Sequence, residues 1–493
     1  MLRGDLLQEE EEVLLRRAHS VFHICLRAAV DSSVDVDPDT ADKRLLKYGW
    51  KTMWRLVEME LSLLYDILYT KAAVIHTWSG YLIRVFSLAA AVSSFLMFWF
   101  SAKHGHNHVD IAITYTLLAG AFFLELASLL GALGSSWTLT FLYSTRWSWL
   151  KHAALCRGRW DRFRRMVVSL RRLLTFNNVA RRWSGTMGQY NMLRFCSRGT
   201  SGPSAAWLMK VLGLEEWWNK KHYSRTIEIS EHVKELLHTH VRHKSPEQVN
   251  TIGVVRKSWG EVALANHKDL EWYLGVELSE GILMWHIGTD LFLIQRRRRR
   301  RRRRMMDGHV EDDYKTVRAI EAISNYMMFL LVRHPYMLPG LALDRLYQVT
   351  CDDMAKVWRE RNKSGSILDS ERSHGHGQAG LLKRVFGLSD EAEREKLAMV
   401  LYDNGSRDVP FSHKTPRLPF AISLAHKLAE KQDDNILKVV LQVWIEILFY
   451  AANRCSGESH AKKISSGAEL TTILWLMAEN FHHYLRIQHV ATS

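Results

Sequence analysis

VFSLAAAVSSFLMFWF (residues 85–100) carries no charged side chain, and its reading decides the fold. With Tyr81, Leu82 and Ile83 before it, the apolar stretch reaches about 20 residues, the length a helix needs to cross a bilayer core. Arg84 sits near one end, where its side chain can reach the headgroups. Trp78, Tyr81 and Trp99 flank the stretch as interfacial aromatics do. A polar loop, Ser101 to Asp110, leads to a second apolar stretch. From Ile111 to Thr145 the only ionisable side chain, tyrosines apart, is Glu125. A second span fits 111–133, with Gly134, Ser135 and Ser136 as a break after it. The membrane region is thus 80–145, with spans at about 81–100 and 111–133.

Lysine and arginine in the flanks set the orientation. The loop between the spans has only Lys103, whereas Lys43, Arg44, Lys47, Lys51, Arg55 and Lys71 precede the first span. Residues 146–198 hold thirteen Lys or Arg and one acid, Asp161. Both termini are expected in the cytosol. The chain opens with Met1-Leu2-Arg3-Gly4 and soon Glu9 to Glu12, without the apolar core of a secretory signal. Glu125 has two readings: a proton or ion relay within the membrane, or a carboxylate hydrogen-bonded inside a helix-packing face. The second is favoured, because one acid without a visible partner makes a poor pathway.

The 493 residues carry a net charge of +15, but unevenly. An unbroken run of nine arginines (Arg296, Arg297, Arg298, Arg299, Arg300, Arg301, Arg302, Arg303 and Arg304) and the net +12 of residues 146–198 leave the remainder at −6. That is a mildly acidic chain with two basic inserts, not the footprint of a globally basic nucleic-acid binder. The run could hold phosphate groups on lipid, RNA or DNA. A solvated loop expansion is the favoured reading, and nucleic acid is not favoured as a partner.

The fold class expected is mainly α: a helical integral membrane protein with about two transmembrane helices and a large cytosolic helical region. Residues 1–79 read as N-terminal cytosolic helices, with one from Ala41 to about Trp78 running nearly straight into the first span. Residues 146–295 form a basic, tryptophan-rich helical region. Within it, Arg157 to Trp183 alternates basic and apolar residues, as a membrane-surface or bundle helix would. Residues 296–313 read as a polyarginine linker. Residues 314–430 read as helical, with a helix at Tyr314 to Val332 and a flexible insert at about 362–380. Residues 431–493 form a C-terminal helical domain. Asn435, Lys438, Gln442 and Glu446 share one stripe of an otherwise apolar helix at 435–452, which favours burial in the cytosolic part over a third span. Ser466 and Glu469 are spaced as a capping box.

No catalytic constellation is visible, and no cofactor or metal is expected. There is neither a phosphate-binding glycine loop nor a serine-nucleophile elbow. Cys25, Cys156, Cys196, Cys351 and Cys455 include no C-x-x-C pair, so a zinc ribbon is excluded and each reads as a reduced, buried thiol. His104, His106 and His108, and again His232, His238, His240 and His243, cluster without zinc-enzyme spacing and read as solvated.

TKAAVIHTWSGYLIRVFS (70–87), VDIAITYTLLAGAFFLELASLL (109–130), WHIGTDLFL (285–293) and ISNYMMFLLVRHPYMLPG (323–340) resemble a plant multi-pass membrane family, domain of unknown function 4220. The block from Ile436 to Phe481 is similar to its companion, domain of unknown function 594. The resemblance covers most of Lys71 to Phe481. It implies a membrane location and a plant, grass-like origin, and supplies no activity and no site residues. Members of that family usually begin with further hydrophobic spans. The resemblance therefore implies that N-terminal spans are missing here, as in a truncated gene model or isoform, and that the arginine run is an insertion.

The function expected is a non-enzymatic interaction or scaffold protein in the lipid bilayer, with a protein partner for its cytosolic helices. The alternatives are a transporter or channel subunit using Glu125, and an anionic-lipid or nucleic-acid binder using Arg296 to Arg304.

Overall fold

The computed structural model describes residues 2–30, 48–101, 107–133, 137, 183–197, 225–243, 259–302, 310–340, 344–369, 388–407, 409, 416–431 and 435–492. These residues are mainly helical, and they form two compact units. The first comprises Met1–Asp42, Lys51–Ser184 and Ala461–Ala468, and the second Lys43–Trp50, Gly185–His460 and Glu469–Ser493.

In the first unit, α1 (Leu2–Ala29) and α2 (Trp50–Tyr69) are amphipathic. Leu15, Ala18, Phe22 and Cys25 of α1 and Met53, Leu56, Val57 and Leu64 of α2 are buried. The Cys25 thiol donates to the carboxylate of buried Glu60 at 3.4 Å, which joins the two helices. The expected straight run from α2 into the first span does not occur. Helix α2 stops at Tyr69, and a single turn, α3 (Ala72–Ile75), intervenes before α4 (Trp78–Phe100). Threonines cause the break, since their hydroxyls compete with helical backbone bonds. Thr70 accepts from Ala72 N–H at 3.1 Å, and Thr77 caps α4 by accepting from Gly80 N–H at 3.1 Å. A Cβ at residue 80 would lie 2.5 Å from the carbonyl oxygens of Val74 and Ile75, so only glycine permits this elbow.

Helices α4 and α5 (His108–Leu133) pack as a hairpin. Its partly covered residues fall at 80, 81, 84, 87, 88, 91, 92, 95 and 98 on α4, and at 111, 114, 115, 118, 119, 122, 125, 126 and 129 on α5. That spacing is one stripe on each helix. Phe95, Phe98 and Trp99 gather around Tyr115, with ring centroids 5.0–6.0 Å apart. The remaining faces are apolar and open: Phe86, Met97, Phe100, Leu117 and Leu124 are more than two-thirds exposed.

The second unit is a helical bundle with a two-stranded antiparallel ribbon, which had no counterpart in the expected helical region 146–295. Strands β1 (Thr186–Gln189) and β2 (Arg225–Glu228) pair Thr186 with Glu228 and Gln189 with Arg225. The helix α6 (Met192–Ser197) follows β1, and α7 (Glu231–His243) follows β2. Their partnership is non-local, and neither strand shows a strong alternation of apolar residues. A Cβ at Gly188 would lie 2.3–2.4 Å from the Phe329 ring, so the strand passes over that ring only because residue 188 is glycine. Gly188→Ala should destabilise the unit by about 1–3 kcal/mol, the usual effect of overpacking. An unchanged urea midpoint would show that the ring moves aside freely.

After α8 (Lys268–Glu271) come the long helices: α9 (Leu278–Arg302), α10 (Val310–Arg333), α11 (Asp344–Asp369), α12 (Leu388–Asn404), α13 (Arg417–Glu430), α14 (Ile436–Arg454), α15 (Gly457–Ile464) and α16 (Leu470–Thr492). Helix α10 extends the expected 314–332 by a few residues and is stopped by His334-Pro335. Two expectations fail here. Residues 296–302, expected as linker, are the last two turns of α9, and residues 362–369, expected as flexible insert, continue α11. Extending a formed helix by a residue costs far less than starting one, and arginine is a good helix former. Residues 303–309 and 370–387 lie outside the described residues, as does most of 146–183. Ser466 does not close a capping box; its hydroxyl turns back to the Lys463 carbonyl at 3.2 Å.

Among the described residues, three helices are long and apolar enough to cross a membrane: α4, α5 and α14. They differ in burial. None of the apolar window of α4 or of α5 is buried, whereas 78% of that of α14 is. Helix α14 packs against α10 and α16, with Trp444, Ile447, Leu448 and Phe449 in the core. A helix that is apolar all round is expected at the centre of a bundle or in a membrane.

Candidate functional site

Glu125 lies on the stripe of α5 that packs against α4, not on its open side. One turn on, the Ser128 hydroxyl accepts a hydrogen bond from the Arg84 guanidinium of α4. Arg84 and Glu125 each fall on the partly covered stripe of their own helix. The Arg84–Ser128 hydrogen bond links the two apolar helices across the hairpin.

The arginine run divides by helical geometry. Arg296, Arg297, Arg300 and Arg301 fall at i, i+1, i+4 and i+5, one face of α9. Arg296 and Arg300 pair with Asp313, Arg297 with Glu321 at 3.0 Å, and Arg297 and Arg301 with Glu395 at 3.6 and 3.7 Å. Arg299 donates to the Ala429 carbonyl at 3.1 Å. The arginines at the end of α9 also face favourably the partial negative charge of its C-terminus. Single exposed pairs contribute little, but they leave that face of the run already charge-matched. Arg303 and Arg304 lie outside the described residues.

Among the described residues, the histidines of the two clusters are not brought together. His104 and His106 lie outside the described residues, and His108 is exposed. Instead of being solvated, His238 is buried against Phe481 and His240 stacks on Phe449 at 4.9 Å. Among the described residues, no three His, Cys, Asp or Glu side chains are grouped to hold a metal ion.

Among the described residues is a dense polar arrangement that the sequence did not disclose. Asp290, in the middle of α9, receives Arg394 of α12 through two nitrogens, with Nε at 3.1 Å from Oδ2. Asn191 Nδ2 donates to the same carboxylate at 2.9 Å and to Asn325 Oδ1 at 3.2 Å. Burial pushes the Asp290 carboxyl up, but the Arg394 charge and hydrogen bonds outweigh it and hold the group below the usual carboxylate range. One turn back on α9, His286 is wholly buried. Its Nε2 accepts from Met192 N–H at 3.2 Å, so the ring proton lies on Nδ1, 2.9 Å from the Ser324 hydroxyl. Burial lowers its pKa to about 4. Nothing opens this Ser–His–Asp neighbourhood to a substrate, since Ser324 and Asp290 are only 3% and 5% exposed. It ties α6, α9, α10 and α12 together. A second buried pair, Glu280 with Arg417, joins α9 to α13, and Glu280 also accepts from Val276 N–H at 3.0 Å.

A half-open cleft of about 260 Å³ is lined by Asp269, Trp272, Tyr273, Met284, Val409, Phe420 and Lys427. Its acid is matched by Lys431 at 2.9 Å, and the Lys427 ammonium lies 5.6 Å from the Tyr273 ring.

No curated protein and no solved structure matches the chain. Two family descriptions do. Residues 3–196 match Domain of unknown function (DUF4220), and residues 429–482 match Protein of unknown function, DUF594. The first takes in α1 to α6 with the apolar hairpin, and the second takes in α14, α15 and the first turns of α16. The chain therefore belongs to the proteins in which a DUF4220 domain precedes a DUF594 domain.

Proposed function

We propose that this is a plant-type integral membrane protein with two spans, α4 and α5, both termini in the cytosol, and a cytosolic helical bundle that docks a protein partner without catalysis of its own. The contrast in burial among the three apolar helices carries this reading. Helix α14 satisfies its apolar surface within the bundle, while α4 and α5 leave theirs open. Apolar faces of that extent are expected to meet lipid or other spans. The asymmetry of Lys and Arg around the hairpin supplies the orientation. The position of Glu125 on the partly covered stripe of α5 favours helix packing over an ion pathway, and the charge-matched face of α9 favours an internal role for half of the arginine run.

Carbonate-washed membranes should retain the chain, and protease added outside sealed, cytosol-side-out vesicles should cut both ends while sparing loop 101–107. Release of the chain by carbonate would end the two-span reading. Recovery of the solubilised chain alone, with no co-eluting protein at fixed stoichiometry, would end the interaction reading.

A further inference from the structure

Cys196 and Cys351 are 155 residues apart in sequence and meet where α6 packs on α11. Cys196 Sγ lies 3.9 Å from the Cys351 carbonyl oxygen, to which it donates. One turn earlier on α11, the Tyr347 hydroxyl meets the Tyr190 hydroxyl at 2.6 Å. The two segments are therefore clamped along their length rather than touching by chance at one point. Both cysteines are free; Cys196 is buried as expected, whereas Cys351, on the outer part of α11, is partly exposed and not buried. We propose that Cys196 and Cys351 are a modification site, a thiol pair that a hydroperoxide converts to a disulfide, with Cys351 reacting first and Cys196 resolving.

The roles follow from access. A hydroperoxide reaches partly exposed Cys351 before the covered Cys196. The Cys351 sulfur attacks the near peroxide oxygen, the O–O bond breaks, and the thiol proton leaves with the departing alcohol or water. Cys351 is then a sulfenic acid, oxidised by two electrons, and the peroxide is reduced by two. The Cys196 sulfur next attacks the Cys351 sulfur, an S–S bond forms, and hydroxide leaves with the Cys196 proton as water. The sum is two thiols plus one hydroperoxide giving one disulfide, one alcohol and one water. The neighbouring Cys351 side chain and burial both hold the Cys196 pKa well up, with the Asp352 charge adding to them. Cys196 therefore stays a thiol, poor as a first target, until a sulfenic acid forms beside it. Cys196 Sγ starts 3.9 Å from the Cys351 carbonyl oxygen, and the two sulfurs must close to roughly 2.05 Å.

The experiment uses the full chain in detergent micelles with hydrogen peroxide as the oxidant. After quenching, alkylation and proteolysis without reductant, the expected product is a linked peptide containing Cys196 and Cys351. It should be two hydrogens lighter than the sum of its parts and split by dithiothreitol. Cys351 should lose alkylation about tenfold faster than buried Cys25 and Cys455. Cys196→Ser should trap Cys351 as a sulfenic acid that dimedone labels, and Cys351→Ser should leave Cys196 alkylatable. Oxidation of wild-type Cys351 to sulfinic acid without the linked peptide would overturn the proposal, as would equal loss of all thiols. The wild-type measurement decides even if a variant fails to fold.

Discussion

Arg394→Met should destabilise the helical bundle by about 3–5 kcal/mol, the usual effect of removing one partner from a buried ion pair. Asp290 is 5% exposed and takes two hydrogen bonds from Arg394, so the variant leaves a carboxylate in the core with only the Asn191 amide to face it. Folded domains have only about 5–15 kcal/mol in hand, so the bundle should unfold at much lower urea. The pair itself need not be strongly stabilising, because both charges are desolvated. The double variant Asp290→Asn with Arg394→Met should therefore recover most of the loss: the new amide oxygen at that position still accepts from Asn191, and no charge remains buried. Tryptophan fluorescence during urea unfolding in detergent reads both. A single variant within about 1 kcal/mol of wild type would mean that water reaches Asp290.

Acid should also weaken the bundle. His286 and His460 each have a pKa near 4, lowered by burial. His460 donates from Nε2 to the Ala452 carbonyl at 3.0 Å and stacks on Trp475, so it too is held neutral. The unfolded chain protonates these rings near pH 6.5 and the folded chain only near 4. Between those values the unfolded state binds more protons, so stability falls as pH drops from about 6.5 to 4. At pH 5 the expected loss is about 2 kcal/mol per histidine, or about 4 for both. Urea midpoints at pH 7.5, 6 and 5 measure it, and His286→Asn or His460→Gln should flatten the slope by about half. Equal midpoints at pH 7.5 and 5 would sink the argument. Depressed Asp290 acts in the same direction at still lower pH: its stabilisation is lost as pH falls through its folded pKa.

The helices best read from sequence were those whose signal is local. Residues 81–100 and 111–133 announce α4 and α5 through unbroken apolar composition, and 314–332 announces α10 by periodicity and its terminal proline. The elbow at residues 70–77 was missed because helical periodicity continues in composition while Thr70, Thr77 and Gly80 break the backbone. Nothing near Asp290 names Arg394, 104 residues away. An acid within the apolar run WHIGTDLFL was the available signal, since such a residue must find a partner. The arginine run misled for the same reason: its acids, Asp313, Glu321 and Glu395, belong to α10 and α12. Cys196 and Cys351 meet only through the packing of two helices.

The charged end of α9 has one property that mixed sequences lack. A homopolymer has no register. Whichever arginines occupy the four inward positions, the groups offered to Asp313, Glu321 and Glu395 are the same. Gain or loss of one arginine from the run would therefore leave the inward face chemically intact and displace only the connection to α10. A tract prone to changing its length is thereby placed where such changes alter the fold least.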